Sequence, residues 1–336
     1  MSYQKKRRLS CIVVLLFVLL AYICRFIETD NELIQTLADQ GRACTYLGIY
    51  CAWVIYLNKH VVQKKVRQYL TAIGCLMVCW FFLRTVKYHI LLDPLGGHIC
   101  WYLYYIPMIL IPTFGLSATL LMDGAEKKTT KWITGILLFF SVVLIVCVLT
   151  NDLHQQVFRF EGPVPYSDKN YSYGILFMLI QFWIIACLVI MEILLVKKSR
   201  IPDRKRFWLP VIPGLLLLGW NIANLLRLPF IKTFAGDMTA ICCLLMAAIF
   251  QGCILCGLIQ TNSRYFELFQ ATGGLDAEIT DNSFRRYYFS GEFPELSKDL
   301  RDSIIAKSSV QERGIRINHL PVKGGHLFWS EDISVL

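Results

Sequence analysis

Charge is what this sequence has least of. Only 17% of its 336 residues are Asp, Glu, Lys or Arg, against about a quarter in a typical soluble domain. With 56% apolar residues and a mean hydropathy of +0.51, an ordinary water-soluble enzyme is excluded. Long polar connections are missing too. The largest loop on the expected outer side, 151–171, holds about 20 residues, too few for a folded domain that captures a large ligand. Whatever is bound is small, lipophilic, or the membrane itself. Cysteine is absent from residues 260–336, and all 13 cysteines lie within or at the edge of apolar runs. Cys253 and Cys256 have CxxC spacing but no second pair and no neighbouring histidine, so packing between helices is favoured over a disulfide or zinc.

What is there is apolar length. A bilayer-crossing helix needs roughly 17–25 mostly apolar residues, and eight stretches qualify: 9–27, 41–58, 69–88, 99–122, 132–150, 172–196, 209–227 and 239–259. The formal charge of +10 divides unevenly. Residues 1–259 hold 25 Lys+Arg against 13 Asp+Glu, and residues 260–336 hold 9 against 11. The surplus is therefore a membrane signature rather than a nucleic-acid one. Loops on alternate sides carry 17 basic residues against 3, which places both termini in the cytoplasm and makes the chain a multi-pass protein of the cell membrane. The first run also has the charge and apolar core of a signal peptide, but no small-x-small cleavage site follows, so an uncleaved anchor is favoured.

Ionisable groups at membrane depth are functional candidates by default. Arg84, Lys87 and Tyr88 share one helical face near the outer end of the third run, and Asn221, Asn224 and Arg227 form a polar arc on the seventh. Asn151, Asp152 and His154 enter the same outer layer. Trp101, Tyr102, Tyr104 and Tyr105 open the fourth run, which Pro107 and Pro112 are expected to bend. Together they form a candidate outward-facing pocket with cationic, amide and aromatic walls. Each member also has a structural reading: Arg84 and Lys87 as snorkelling cations, Trp101, Tyr104 and Tyr105 as an interfacial belt, Asn221 and Asn224 as interhelical glue, and Asp152 and His154 as helix caps. No catalytic residue, metal ligand or cofactor is assigned.

Residues 261–336 lose the apolar runs and read as a small α+β module. A helix over Ser263–Ala271 is stopped by Gly273-Gly274. Strands are expected at Ala277–Thr280 and Arg285–Phe289, a helix at Glu295–Ser309, and a terminal hairpin from Gly314–Pro321 through the turn at Lys323-Gly324-Gly325 to Trp329. This strand–strand–helix–strand–strand order, closing on Trp329-Ser330-Glu331-Asp332-Ile333-Ser334, resembles a compact, degenerate PAS domain. Ser334 stands where that family's closing motif has Thr.

The stretches Trp101–Met108, Leu149–Gln155, Phe158-Arg159-Phe160 and Tyr171-Ser172-Tyr173-Gly174 resemble the seven-helix N-terminal sensor region of bacterial histidine kinases, over most of residues 28–260. The resemblance implies a signal passed through the last helix into a PAS-like relay and then a kinase. No acidic residue follows any of the 6 histidines, and no glycine-rich ATP-binding motif is present. The kinase is thus expected either on another chain or in the remainder of a longer receptor.

The expected architecture is mainly α: an anchor (1–27), a seven-helix sensor domain (28–260) and a PAS-like cytoplasmic domain (261–336). The expected function is a signal-transduction receptor for a small or lipophilic ligand or a membrane state. Its partners are membrane lipid, a kinase or response regulator on another chain and a second copy in a homodimer, with no nucleic acid. A small-molecule transporter is the alternative. A membrane enzyme using Asp152 and His154 has no nucleophile or metal cluster to support it.

Overall fold

The computed structural model describes residues 3–24, 31–90, 93–122, 128–160, 171–198, 207–226, 228, 238–259, 261, 276–284, 286–289, 293, 295–312, 314–322 and 325–333. The chain divides into two compact units, Met1–Ile259 and Gln260–Leu336.

The first unit is helical. Its elements are α1 (Tyr3–Cys24), α2 (Glu32–His60), α3 (Lys64–His89), α4 (Pro94–Leu103), α5 (Tyr105–Leu121), α6 (Lys128–Leu149), a single turn α7 (Asn151–His154), α8 (Ile175–Lys198), α9 (Trp208–Leu225) and α10 (Met238–Cys256). A short hairpin, β1 (Phe158–Phe160) and β2 (Tyr171–Tyr173), interrupts them. Among the described residues, six helices are long and apolar enough to cross a bilayer: Lys64–Tyr88, Leu95–Leu121, Lys128–Leu149, Ile175–Lys198, Trp208–Leu225 and Met238–Cys256. The first two expected spans are also helical, as α1 and α2. However, α1 has a basic first half and an apolar part of only Ile12–Cys24, and α2 is diluted by polar residues along its length.

Local chemistry sets the helix ends. Asn31 caps α2 by accepting from the Leu33 and Ile34 amides. Asp93 caps α4 by accepting from the Gly96 amide at 2.7 Å, with Pro94 at the first helical position, where no amide hydrogen is needed. The free carbonyls ending α5 are met from two neighbours. Lys198 Nζ donates to Thr119 and Leu120 at 2.8 and 3.2 Å, and Gln63 Nε2 donates to Met122 at 2.9 Å.

Helix α5 packs against α3, α6 and α8 and is buried on nearly every side, as suits an element apolar all round. By contrast α6 turns Trp132, Phe139, Phe140 and Val146 outward, as a lipid-facing helix does. The core runs through Tyr50, Met77, Phe81, Ile109, Ile180 and Phe250, all fully buried. All described cysteines are free thiols.

The second unit has β3 (Asp276–Asp281), β4 (Arg286–Phe289), α11 (Lys298–Lys307), β5 (Ser309–Glu312), β6 (Ile315–Val322) and β7 (Gly325–Asp332). The strands form one antiparallel sheet in the order β4-β3-β7-β6-β5, with an irregularity between Ile279 and Thr280. The helix expected over Glu295–Ser309 is shorter. Ser297 caps its start and Ser308, left-handed at φ 61°, ends it. The residues after that turn form a strand that the sequence reading lacked, with Val310 opposite Ile317. A helix over 263–271, its Gly273-Gly274 stop and the Lys323-Gly324 part of the last turn lie outside the described residues.

One face of this sheet is unusually polar. Glu278, Phe328 and His319 are cross-strand partners on it. Glu278, fully buried, accepts from Arg286 Nε and Nη2 at 2.9 and 3.2 Å and from Arg301 Nη2 at 2.9 Å. A carboxylate removed from water is tolerable only with such multiple charge-assisted donors. Phe293, Leu296, Ile304, Ile317 and Phe328 supply the apolar core.

Candidate functional site

The structure brings several of the sequence-selected residues together at the end of the helical unit that carries the β1–β2 hairpin. Asn151, fully buried on α7, is the hub. Its Oδ1 accepts from the Val157 and Phe158 amides at 2.9 and 3.0 Å, and its Nδ2 donates to the Phe158 carbonyl and the Tyr102 hydroxyl, both at 3.0 Å. The Tyr102 hydroxyl in turn donates a hydrogen bond to Asp152 Oδ1 at 2.6 Å, which His98 Nε2 also approaches at 3.1 Å. The Asp152 side chain is 47% exposed and His98 only 4%, so the carboxylate is the solvent-facing end of a network whose remainder is enclosed.

His154 has a different task. The Gln156 amide donates to its Nδ1 at 3.0 Å, which leaves Nε2 to carry the proton that bonds the Cys147 carbonyl at 3.0 Å. Both ring nitrogens thus hold the chain reversal after α6, where Gln155 adopts φ 49°. Gly174 closes the hairpin: its amide donates to the Val157 carbonyl at 2.8 Å, and a Cβ there would fall on the Gln156 carbonyl oxygen.

Aromatic rings fill the space beneath. Trp101 lies 4.4 Å from Phe158 and 4.8 Å from Tyr171 between centroids, and Tyr173 stacks on Phe177 at 3.8 Å. Tyr105 meets Phe158 edge-on at 5.5 Å. The alternation Phe158, Phe160 and Tyr171, Tyr173 places rings on one face of the hairpin, while Arg159 is exposed.

A second group forms on α3 and at Tyr104, the junction of α4 and α5. Lys87 Nζ lies 5.6 and 5.7 Å from the Tyr88 and Tyr104 ring centroids, within cation–π reach, and the Tyr104 hydroxyl is 3.5 Å from the Leu83 carbonyl. Arg84 is half-buried on the same helix. Asn221 and Asn224 make their described bonds elsewhere, to the Leu217 carbonyl at 2.8 Å and to Met238 Sδ at 3.4 Å. Arg227 lies outside the described residues. Among the described residues no group of three or more His, Cys, Asp or Glu is placed to hold a metal ion.

Two features escaped the sequence reading. Glu192 on α8 is 6% exposed, and neither carboxyl oxygen has a hydrogen-bond partner among the described residues. It occupies the space over Gly214 of α9, where a Cβ would fall on its Oε1. As the sole acid of the apolar stretch 172–196 it was visible in the sequence. The other is a small, half-open pocket of about 30 Å³ between five helices, whose lining includes Trp80, Met108, Pro112, Asn221, Cys242 and Met246. Nothing local in the sequence marks it.

Long apolar helices define a multi-pass membrane protein, and the family match that follows makes it a membrane signalling receptor. The particular family follows from comparison: a model described as the N-terminal 7TM region of histidine kinase matches residues 42–257, and the chain belongs to that family. That region is the non-catalytic, sensory part of histidine kinases. No curated protein and no solved structure gives a significant match to the chain.

Proposed function

We propose that the chain is a membrane sensor of a small or lipophilic ligand or of membrane state, which relays its signal through α10 to the C-terminal module and on to a kinase or response regulator. The observation that carries this reading is the family match over 42–257. The relay is supported by the unit boundary immediately after α10. The PAS-like reading of the module is supported by its single antiparallel sheet, in which the first and last strands pair at the centre and the helix falls between the second and third. In this reading α1 anchors the chain, α2 joins the six apolar spans as the first of seven, and both termini are cytoplasmic. The hairpin end, with Asp152, Lys87 and Arg84, then faces outward and is where a polar ligand group or lipid head group is met. The sensor works as a homodimer embedded in membrane lipid.

A stimulus acts only if it prefers one of two packings separated by a few kcal/mol. Deleting 262–336 tests the relay: output in the host cell, read with a reporter of the downstream regulator, is expected to become independent of stimulus. An unaltered stimulus response overturns the proposal. The transporter alternative is supported only by polar groups at membrane depth, and substrate-dependent flux in proteoliposomes is what favours it.

A further inference from the structure

We propose that Glu192 on α8 is a proton-operated switch: as the neutral acid it lets α8 and α9 close on each other at Gly214, and loss of its proton to cytoplasmic water parts them and resets α10. This rests on the sensor reading above and names the proton as the ligand. Glu192 is 6% exposed, and neither carboxyl oxygen has a hydrogen-bond partner among the described residues. It lies against Gly214 of α9, where the missing side chain leaves room for its Oε1, and it is close enough to Cys253 of α10 to interact with it electrostatically. The helices around it supply no counter-charge. Helices α5 and α9, which pack on α8, carry one titratable group between them, Tyr105, at the opposite end of α5. Helix α10 offers only the thiols of Cys242, Cys243, Cys253 and Cys256. On α8 itself Cys187 is a buried thiol, Lys197 is exposed, and the Lys198 ammonium is engaged by the Thr119 and Leu120 carbonyls. Arg200, Arg204, Lys205 and Arg206 lie outside the described residues.

Glu278 shows what a buried carboxylate requires, with three hydrogen bonds from Arg286 and Arg301. Glu192 has no such donor, so the neutral acid fits where it sits and the carboxylate does not. Ionisation is relieved only by reaching water, and the way out is short. Glu192 is six residues from the end of α8, Gly214 six residues into α9, and Cys253 three residues from the end of α10. All three therefore lie within about 9 Å of the same end of the bundle, the one proposed to face the cytoplasm. The α9–α10 contact at that end is tight. A Cβ on Gly252 would meet the Leu209 and Pro210 backbone at 2.7 Å, so a shift of α9 is passed to α10 rather than absorbed between them. The chain leaves the helical unit just after α10. The two protonation states thus prefer different settings of the last span, which is the differential contact a stimulus needs.

The test uses the full chain in phosphatidylcholine nanodiscs, titrated between about pH 5 and pH 9, a span that takes in both exposed and buried carboxyls. Infrared difference spectra follow the C=O stretch of protonated acids, and the part belonging to Glu192 is the part missing in Glu192→Gln. In parallel, fluorine NMR of fluorotryptophan-labelled chain reads Trp208, half-exposed at the start of α9, its signal identified by its loss in Trp208→Phe. The Glu192 band is expected at the acid end and is expected to be lost at the alkaline end, with the Trp208 signal moving at the same midpoint. Glu192→Gln, which keeps the shape of the neutral acid, is expected to hold Trp208 at its acid-end position throughout. Gly214→Ala, which crowds the acid out of its place, is expected to weaken proton binding about tenfold, a midpoint lower by about 1 pH unit. Unchanged signals from the other tryptophans show that each variant is folded. The proposal is overturned if the Glu192 band is missing at the acid end, or if it persists to the alkaline end. It is equally overturned if the band is lost while Trp208 stays, or if Trp208 moves alike in the wild type and in Glu192→Gln. The titration is read without any signalling output, so failure of the switch and failure of the relay are separate results.

Discussion

Asn151 shows how much one buried amide can organise. Four hydrogen bonds join α7 to the hairpin and to Tyr102, and truncation leaves two amides, a carbonyl and a hydroxyl to find other partners. Asn151→Ala is expected to lower stability by about 3 kcal/mol, whereas Asp152→Asn, at a half-exposed carboxylate, is expected to lose no more than about 1 kcal/mol; thermal unfolding in one detergent compares them. Two glycines make a sharper contrast. At Gly174 a new Cβ meets backbone, the Gln156 carbonyl, while at Gly214 it meets the far end of the Glu192 side chain. Gly174→Ala is therefore expected to cost about 1–3 kcal/mol. Gly214→Ala is expected to cost less, because Glu192 can swing away, and a double-mutant cycle with Glu192→Ala is expected to show coupling above about 0.5 kcal/mol. Residue types announced some of these sites: Asn-Asp-Leu-His stood out after an apolar run. Their tasks were not legible, because a hydrogen-bond partner seven residues or fifty residues away is a property of the folded chain.

At the scale of elements, the β6–β7 hairpin carries a titratable pair. His319 Nε2 lies 2.9 Å from His326 Nδ1, so one ring donates and the other accepts, and the pair cannot keep that bond with both rings protonated. Burial, and then the neighbouring His326, hold His319 below its ordinary value of 6.5. Phe284 stacks on His326 at 4.9 Å and the Arg301 guanidinium lies 6.0 Å from the Phe284 ring. Arg301 and Arg286 share Glu278, so that carboxylate is already matched by two guanidinium groups. With the folded value depressed, the unfolded module binds more protons. This contribution to stability is present above about pH 6.5 and lost as pH falls through the folded value. Hydrogen exchange of β6 and β7 amides in the full chain, corrected for intrinsic rates, is expected to show protection falling between about pH 7 and pH 5, and His319→Gln is expected to remove that dependence. The strand β5 teaches the opposite lesson from β6. An eight-residue alternation was readable as a strand, whereas Ser309–Glu312 is too short to announce itself and became a strand because Ser308 ended the helix and β6 offered an edge.

For the whole molecule, the proposed orientation predicts a strict alternation of reporters. Alkaline phosphatase fused after residues 97, 165 or 232 is expected to be active, and green fluorescent protein fused after 62, 125, 203 or 336 is expected to fluoresce. Reversed activity at any two adjacent loops contradicts the basic-residue reading. The helical, multi-pass character and the family were settled by local quantities that a chain carries with it: apolar length, basic loops and short aromatic motifs need no partner to be recognised. Which polar residues hold the fold and which border open space was decided only by tertiary structure. Asn151 and His154 became fasteners, and Asn221 came to share a pocket with Trp80 from another helix far off in the chain. Glu192 came to rest over Gly214 of a neighbouring helix. The reason is physical: the free energy of a buried polar group depends on what lies within about 3 Å of it, and in a helical bundle those neighbours belong to other helices.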